Sequence, residues 1–183
     1  SVGAGFSYGQ LGVSHFATED LSIMRSIPNM SIIAPSDANE MEALIEKSVD
    51  WPHPIYIRIA KGGERIISDK IKSFSIGESI IYKESSSAVI LSTGIMTQKS
   101  LDIISQLSNE GIDIGLIHMH TIAPLDYNII NKIIKNVEYI FTLEEHLVVN
   151  GFGTSILEYC SQNFQQYTNK ISRIGLPFRF PDQ

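Results

Sequence analysis

The sequence predicts an α/β protein built in two successive sections. Short apolar runs alternate with amphipathic helices, a polar stretch with two glycines follows at 61–73, and a second, longer alternation comes after it. The 183 residues are enough for one large domain or two small ones with a buried core. A net charge of −6 without a basic tract argues against a nucleic-acid partner, and the lack of a run of 18 apolar residues argues against a membrane span.

The first section is predicted as helix, strand, helix, strand. The first helix follows the possible cap Thr18 and ends before Pro28, and 31–34 is a short apolar strand. Asp37 and Glu40 resemble a capping box that opens the second helix. The expected core face of this helix carries Met41, Leu44, Ile45 and Val49. The predicted strand after it is 55–59. Strand, helix, strand in this order predicts a parallel sheet with a crossover.

Two strands and two helices are fewer elements than a sheet of ordinary size needs. We therefore expect the first section either to add to another chain or to lack the N-terminal part of its domain. We favour the second interpretation.

The second section is predicted as a self-contained small α/β domain. The stretch 61–73 is the best linker candidate, and 74–82 is a small extended segment with Gly77 as a bend. The predicted strands after it are 88–92, 113–117, 138–143 and 171–174. The predicted helices carry Met96, Ile103, Ile104 and Leu107; then Ile129, Ile130, Ile133 and Ile134; then Ile156, Leu157, Cys160 and Phe164.

Three side chains are candidates for function. His15 follows a glycine-bearing turn and precedes an acidic helix start, where an imidazole can point into a cleft and move protons or hold a substrate. The alternative is a turn histidine bonded to a nearby carbonyl. His118 and His120 are spaced for one face of a strand, as metal ligands sometimes are, but without a third ligand we interpret them as polar loop residues.

The sequence around His15 resembles a known family. It resembles the pyrimidine-binding domain of transketolase-like thiamine diphosphate enzymes. The matching residues are Gly12-Val13-Ser14-His15, Glu19-Asp20, 25–30, 34–37 and Glu40. The run 54–58 resembles the last strand of that domain and its arginine, Arg58.

The second section resembles the C-terminal domain of the same enzymes. The matching residues are Ser92-Thr93-Gly94, Pro124-Leu125-Asp126, and Glu144-Glu145-His146 with Gly151-Phe152-Gly153. The resemblance implies a partial pyrimidine-binding α/β domain in 1–66, followed by a small three-layer α/β C-terminal domain with a mostly parallel sheet in 67–183. It also implies a structural turn at 151–153, which 144–146 would order.

The resemblance implies roles for two residues. His15 would lie near the reacting carbons of the donor sugar, bind a hydroxyl or carbonyl and assist proton transfer. Arg58 would bind the phosphate of a sugar phosphate, for which its fork of donors is suited; the alternative from its place at a strand end is an exposed or interfacial salt bridge. The sequence departs from the family at Leu11, where an aspartate-glycine pair is common, and near Gly3, where a second histidine is expected.

The resemblance also implies the cofactors and partners. Thiamine diphosphate and Mg²⁺ would serve the complete enzyme, with the diphosphate and metal on a separate domain, and this chain alone would bind neither and be inactive. The residues here that would bind the cofactor are not identified, and no metal ligands are expected. We expect a homodimer, association with an N-terminal diphosphate-binding section, or both.

The predicted function is transfer of a two-carbon ketol unit between sugar phosphates. The alternatives are 1-deoxy-D-xylulose-5-phosphate synthase, the β subunit of a 2-oxo-acid dehydrogenase, and a non-catalytic assembly or dimerisation module. A single cysteine, Cys160, excludes an internal disulfide and suits a reducing compartment. With no leader visible at Ser1, we expect a cytoplasmic protein.

Overall fold

Two sheets organise the part of the chain that the computed structural model describes, residues 2–68 and 73–179. The helices of these residues are α1 (Asp20–Arg25), α2 (Ala38–Ser48), α3 (Met96–Asn109), α4 (Tyr127–Asn136) and α5 (Phe152–Asn163). Their strands are β1 (Ser31–Ile33), β2 (Ile55–Ile57), β3 (Ile80–Lys83), β4 (Ala88–Ser92), β5 (Ile114–His118), β6 (Thr121–Ala123), β7 (Tyr139–Leu147) and β8 (Ile171–Leu176). The predicted α/β class is confirmed.

The larger sheet has the strand order β3-β5-β4-β7-β8. Strands β5, β4, β7 and β8 are parallel, and β3 is antiparallel at one edge. Every residue of the central strand β4 is buried, as expected for a sheet covered on both faces. Ile90 packs with Ile104 of α3, whereas Val89 packs with Ile130 of α4 on the other face. This is the three-layer arrangement that the sequence predicted.

The smaller sheet has the order β2-β1-β6 and joins the two sections. Strands β1 and β2 pair in parallel across the crossover helix α2, as predicted. Strand β6 comes from the second section and pairs with β1 antiparallel. The prediction of a self-contained second section was therefore wrong. A three-residue strand carries no recognisable period, so the sequence pattern could not reveal β6.

A continuous apolar core crosses the boundary between the sections. Leu21 of α1 and Ile32 of β1 belong to the same buried cluster as Leu91, Ile130 and Phe152 of the second section. A separate cluster places Leu44 of α2 against Ile33 and Phe74. Cys160 is buried in the large cluster, as its position on the apolar helix face predicted.

Helix α2 buries less of its apolar face than the sequence predicted. Val49 lies just past its end and is 79% exposed, and Ile45 is about half exposed. Glu40, in contrast, is buried. The predicted linker 61–73 has no helix or strand through Ser68, and its residues 69–72 lie outside the described part of the chain. No helix among the described residues is both long and apolar enough to span a bilayer.

Candidate functional site

The segment that carries His15 is clamped onto the end of β2. The backbone N–H of Ala4 donates to the carbonyl of Ile59 at 3.1 Å. Gly5 and Ala17 then pair through two backbone hydrogen bonds of 3.0 and 3.1 Å, which close residues 5–17 into a loop. The base of this loop is therefore fixed to the small sheet.

His15 is exposed at the end of a short 3₁₀ helix, Val13–His15. Its backbone N–H donates to the carbonyl of Gly12, whose φ of 78° favours glycine. Its ring atom Nδ1 lies 3.0 Å from the hydroxyl of Ser14. The next residue, Phe16, meets Phe6 edge to face at 4.9 Å between ring centroids. The imidazole thus stands on the surface of an aromatic-supported turn, although its predicted role in catalysis stays a prediction.

The guanidinium of Arg58 is buried and has partners within the chain. Its Nε donates to Asp20 Oδ2 at 2.8 Å, and its Nη2 donates to the carbonyls of Ala17 and Glu145 at 2.7 and 3.0 Å. The Tyr56 hydroxyl donates to the same Asp20 oxygen at 2.9 Å. Arg58 therefore cross-links the loop, α1 and β7. Its role in binding phosphate stays a prediction, and these contacts favour the salt-bridge alternative.

Sequence reasoning missed Lys61 as a candidate for anion binding. Lys61 is exposed, and its Nζ lies 5.5 Å from the centre of the Tyr8 ring, within the loop that carries His15. With Gly62 and Gly63 it lines a cleft of about 290 Å³ beside the N-terminal end of α2. A lysine followed by two glycines after a strand was visible in the sequence, but we interpreted it as the start of a linker.

Glu144 anchors the N-terminus of α5. Its carboxylate accepts hydrogen bonds from the backbone N–H groups of Phe152 and Gly153 at 2.6 and 2.9 Å. The anion at this helix terminus is thus a side chain of the same chain. Burial raises the pKa of Glu144 to about 7, against the opposing effects of these N–H groups, Arg58 and Arg173. The interpretation that 144–146 order this turn is confirmed for Glu144, whereas the Glu145 side chain lies against Gly5 instead.

His146 ties β7 to α1. Its Nδ1 donates to the carbonyl of Leu147 at 2.7 Å, and its Nε2 accepts from the backbone N–H of Ser22 at 3.3 Å. These partners indicate the tautomer with the proton on Nδ1. Burial lowers the pKa of His146, so the neutral ring is favoured at this junction.

The interpretation of His118 and His120 as polar loop residues was wrong, because both are fully buried. His118 ends β5, where Nε2 lies 3.0 Å from Glu40 Oε2 of α2 and Nδ1 lies 2.6 Å from the Thr97 hydroxyl. The Thr97 hydroxyl lies 2.8 Å from that of Ser92. This series of polar contacts joins the two sections inside the core. Burial opposes a charged Glu40, but His118 and the hydrogen bonds outweigh it and lower the Glu40 pKa.

His120 packs beside this series of polar contacts as a neutral ring. It stacks on Phe74 with 4.3 Å between ring centroids, and Nδ1 lies 2.8 Å from the Thr121 hydroxyl. Burial, with a contribution from His118, lowers the pKa of His120 to about 4. Phe74, Glu40 and Thr97 come from distant parts of the chain, which is why the spacing of the two histidines suggested a loop.

The described residues do not fit a site for Mg²⁺. They contain no group of three or more histidine, cysteine, aspartate or glutamate side chains arranged to hold a metal ion. Glu40, His118 and His120 instead contact one another and nearby hydroxyls.

The fold and the site define a two-section α/β protein in which a strand of the second section completes the sheet that carries the histidine loop. Residues 1–64 match the family "Transketolase, pyrimidine binding domain", and residues 77–183 match "Transketolase, C-terminal domain". The chain belongs to the transketolase family.

Relatives of the chain include enzymes and one C-terminal section. It is 34% identical over 151 residues to 1-deoxy-D-xylulose-5-phosphate synthase of Clostridium tetani, covering 82% of this chain and 24% of that protein. It is 31% identical over 175 residues to a putative transketolase C-terminal section of Methanocaldococcus jannaschii, covering 94% of this chain and 54% of that protein. The chain thus spans about a quarter to a half of the length of these relatives.

Solved structures show the same fold. A structure described as a split gene transketolase, inactive beta4 tetramer, superposes with a TM-score of 0.86 at 28% identity, over 100% of this chain and 58% of that one. A transketolase from Pichia stipitis, described as a complex with xylulose 5-phosphate, has a TM-score of 0.73 at 19% identity, over 98% of this chain and 25% of that one. The second similarity concerns the fold alone.

Proposed function

We propose that this chain supplies the pyrimidine-binding and C-terminal sections of a thiamine diphosphate-dependent transferase. The complete enzyme moves a two-carbon ketol unit between sugar phosphates. The observation that carries the proposal is the exposed imidazole of His15 on a clamped loop, within the domain that matches the pyrimidine-binding family. A family member of this kind needs a second section to complete its site.

Thiamine diphosphate, when bound, supplies the nucleophile for the donor carbonyl and the electron sink for the broken carbon-carbon bond. Because the described residues do not fit its metal ion, we assign the diphosphate and Mg²⁺ to an N-terminal diphosphate-binding section. That section is a separate subunit, another part of the same polypeptide, or a part lost to truncation or proteolysis. This chain alone is then inactive.

His15 binds and orients the substrate in this proposal. Its Nε2 faces the donor, binds a hydroxyl or carbonyl oxygen and takes or returns a proton as the bond is cleaved. The backbone bond to Gly12 and the contact of Phe16 with Phe6 hold the turn on which the imidazole stands. The exposure of the His15 side chain supports this role.

Two cations compete for the role of binding the substrate phosphate. Arg58 was the sequence prediction, but its donors already serve Asp20 and two carbonyls. Lys61 is exposed at this cleft, where its ammonium group can approach an anion, whereas the Gly62 N–H already donates to Glu64 Oε1 at 2.9 Å. We therefore propose Lys61 as the direct phosphate contact and Arg58 as the group that fixes the loop.

A second candidate function is 1-deoxy-D-xylulose-5-phosphate synthase. The observation that favours it is the series of relatives with that name at 31–34% identity. The two candidates differ in the donor, because a synthase would use a 2-oxo acid where a transketolase uses a ketose phosphate. A 2-oxo-acid dehydrogenase β subunit shares the fold, but no observation on this chain favours it.

The test reconstitutes the chain with its diphosphate-binding section, thiamine diphosphate and Mg²⁺, and supplies each donor class with an aldose phosphate acceptor. We expect turnover with the ketose phosphate only. Turnover with the 2-oxo acid would favour the synthase. Assembly of the two sections without cofactor binding or turnover would favour a non-catalytic module.

His15→Ala tests the role of the histidine. It should lower kcat/KM by about 100-fold or more, the usual contribution of a proton-transfer group. His53→Ala is the matched control, since His53 is also exposed but lies outside the loop. Equal activity of the His15 variant and the control would contradict the proposed role.

A further inference from the structure

Glu145 of β7 points to the opposite side of the strand from Glu144 and His146, as strand alternation requires. Its half-buried carboxylate lies near the backbone of Phe6, which opposes the rise in the Glu145 pKa that burial causes. The side chain also lies flat against Gly5, so closely that a methyl group at Gly5 would overlap its carboxylate. Glu145 therefore contacts the loop that carries His15 from the other section of the chain.

The contact falls at the base of the loop. Gly5 pairs with Ala17 through two backbone hydrogen bonds, and Phe6 packs edge to face on Phe16. Both pairs close the segment on either side of His15. A carboxylate that packs against Gly5 consequently limits the positions that the imidazole can take.

Burial raises the pKa of Glu145, against two nearby cations. Arg58, whose Nη2 donates to the backbone carbonyl of Glu145, and Lys99 of α3 oppose that rise. Gly5 has a φ of 56°, in the left-handed region that favours glycine. Glycine at this position thus serves both the backbone conformation and the close approach of the carboxylate.

We propose that Glu145 is a positioning residue, through which the C-terminal section holds the 5–17 loop and thereby His15 in place. The contact gives that section a part in catalysis without a contact to substrate. The catalytic half of the inference rests on the proposed function of His15. The structural half does not, and the two halves are tested separately.

The structural half is tested by amide hydrogen exchange of the chain. Glu145→Ala should speed exchange in peptides covering 5–17 by about 5- to 30-fold, as expected when a partly buried contact at the base of the loop is lost. Peptides from α4 should be unchanged. Glu145→Gln keeps an acceptor oxygen and should restore most of the protection, and Glu110→Ala is the control at an exposed glutamate. Unchanged exchange in Glu145→Ala, or no rescue by glutamine, would overturn the proposal.

The catalytic half is tested by a double-mutant cycle in the reconstituted enzyme. Glu145→Ala should lower kcat/KM by about 10-fold in the parent but by less than about 2-fold in the His15→Ala background. A loss from general destabilisation would instead be the same in both backgrounds, and would overturn the link to His15. A third result is possible: Glu145→Ala speeds exchange in the loop, but His15→Ala leaves kcat/KM unchanged. It would refute the proposed function and leave the Glu145 contact established.

Discussion

Replacing Arg58 separates a structural cross-link from a substrate contact. In Arg58→Met an unbranched apolar side chain keeps much of the packing, but Asp20 loses its ion pair and retains the Tyr56 hydroxyl. The carbonyls of Ala17 and Glu145 lose a donor at the same time. Arg58 and Asp20 are only 5% and 13% exposed, so water replaces these partners poorly.

The expected cost follows from this burial. Breaking one side of a buried ion pair typically costs about 3–5 kcal/mol, because it leaves an uncompensated charge. For a chain of this size that corresponds to a fall of roughly 10 °C in Tm. Urea unfolding followed by circular dichroism gives the free energy directly.

Arg65→Met is the matched control. Arg65 pairs with Asp102 at 3.0 Å, but both side chains are more than half exposed, so the expected change is about 0–1 kcal/mol. An Arg58 variant as stable as the Arg65 variant, with only a raised KM for the sugar phosphate, would refute the cross-link and support the phosphate contact.

Three further outcomes are expected. Burial lowers the pKa of His120 to about 4, whereas in the unfolded chain the ring takes up its proton near pH 6.5. The folded state therefore has its full stability with respect to this group above pH 6.5 and loses stability as the pH falls towards 4. His120→Gln should flatten the stability profile in that window by up to about 3 kcal/mol at pH 4, measured by urea unfolding across pH; an unchanged slope would contradict a buried neutral ring. Gly153→Ala should destabilise the chain by about 2 kcal/mol or more, since a methyl group would overlap Thr142 and crowd Glu144; a variant with the parent Tm would contradict this packing. Lys61→Ala should raise KM for the sugar phosphate about 10-fold without changing Tm, and an unchanged KM would exclude Lys61 as the phosphate contact.

The alternation of strands and helices was predictable because it depends on the local spacing of apolar residues. The apolar run of β4 and the isoleucines of α4 specify their elements without reference to the rest of the chain. The exposed turn at His15 was predictable for the same reason, since a glycine before an acidic helix start marks a loop, although α1 lacks the side-chain cap expected from Thr18.

The remaining features depend on partners far away in sequence. His118 meets Glu40 from 78 residues away, and Arg58 meets the carbonyl of Glu145 from 87 residues away. Nothing in their local sequence distinguishes a buried network from polar loop residues. Strand β6 was not predicted for a related reason, because only its pairing with β1 defines it.

The central claim is that this chain forms one part of a divided active site. Calorimetric titration of thiamine diphosphate with Mg²⁺ tests it most directly, into this chain alone, into the diphosphate-binding section alone, and into their mixture. The account predicts that adding this chain to the diphosphate-binding section greatly tightens cofactor binding and that only the mixture has transferase activity. Saturable binding and turnover by this chain alone would contradict it.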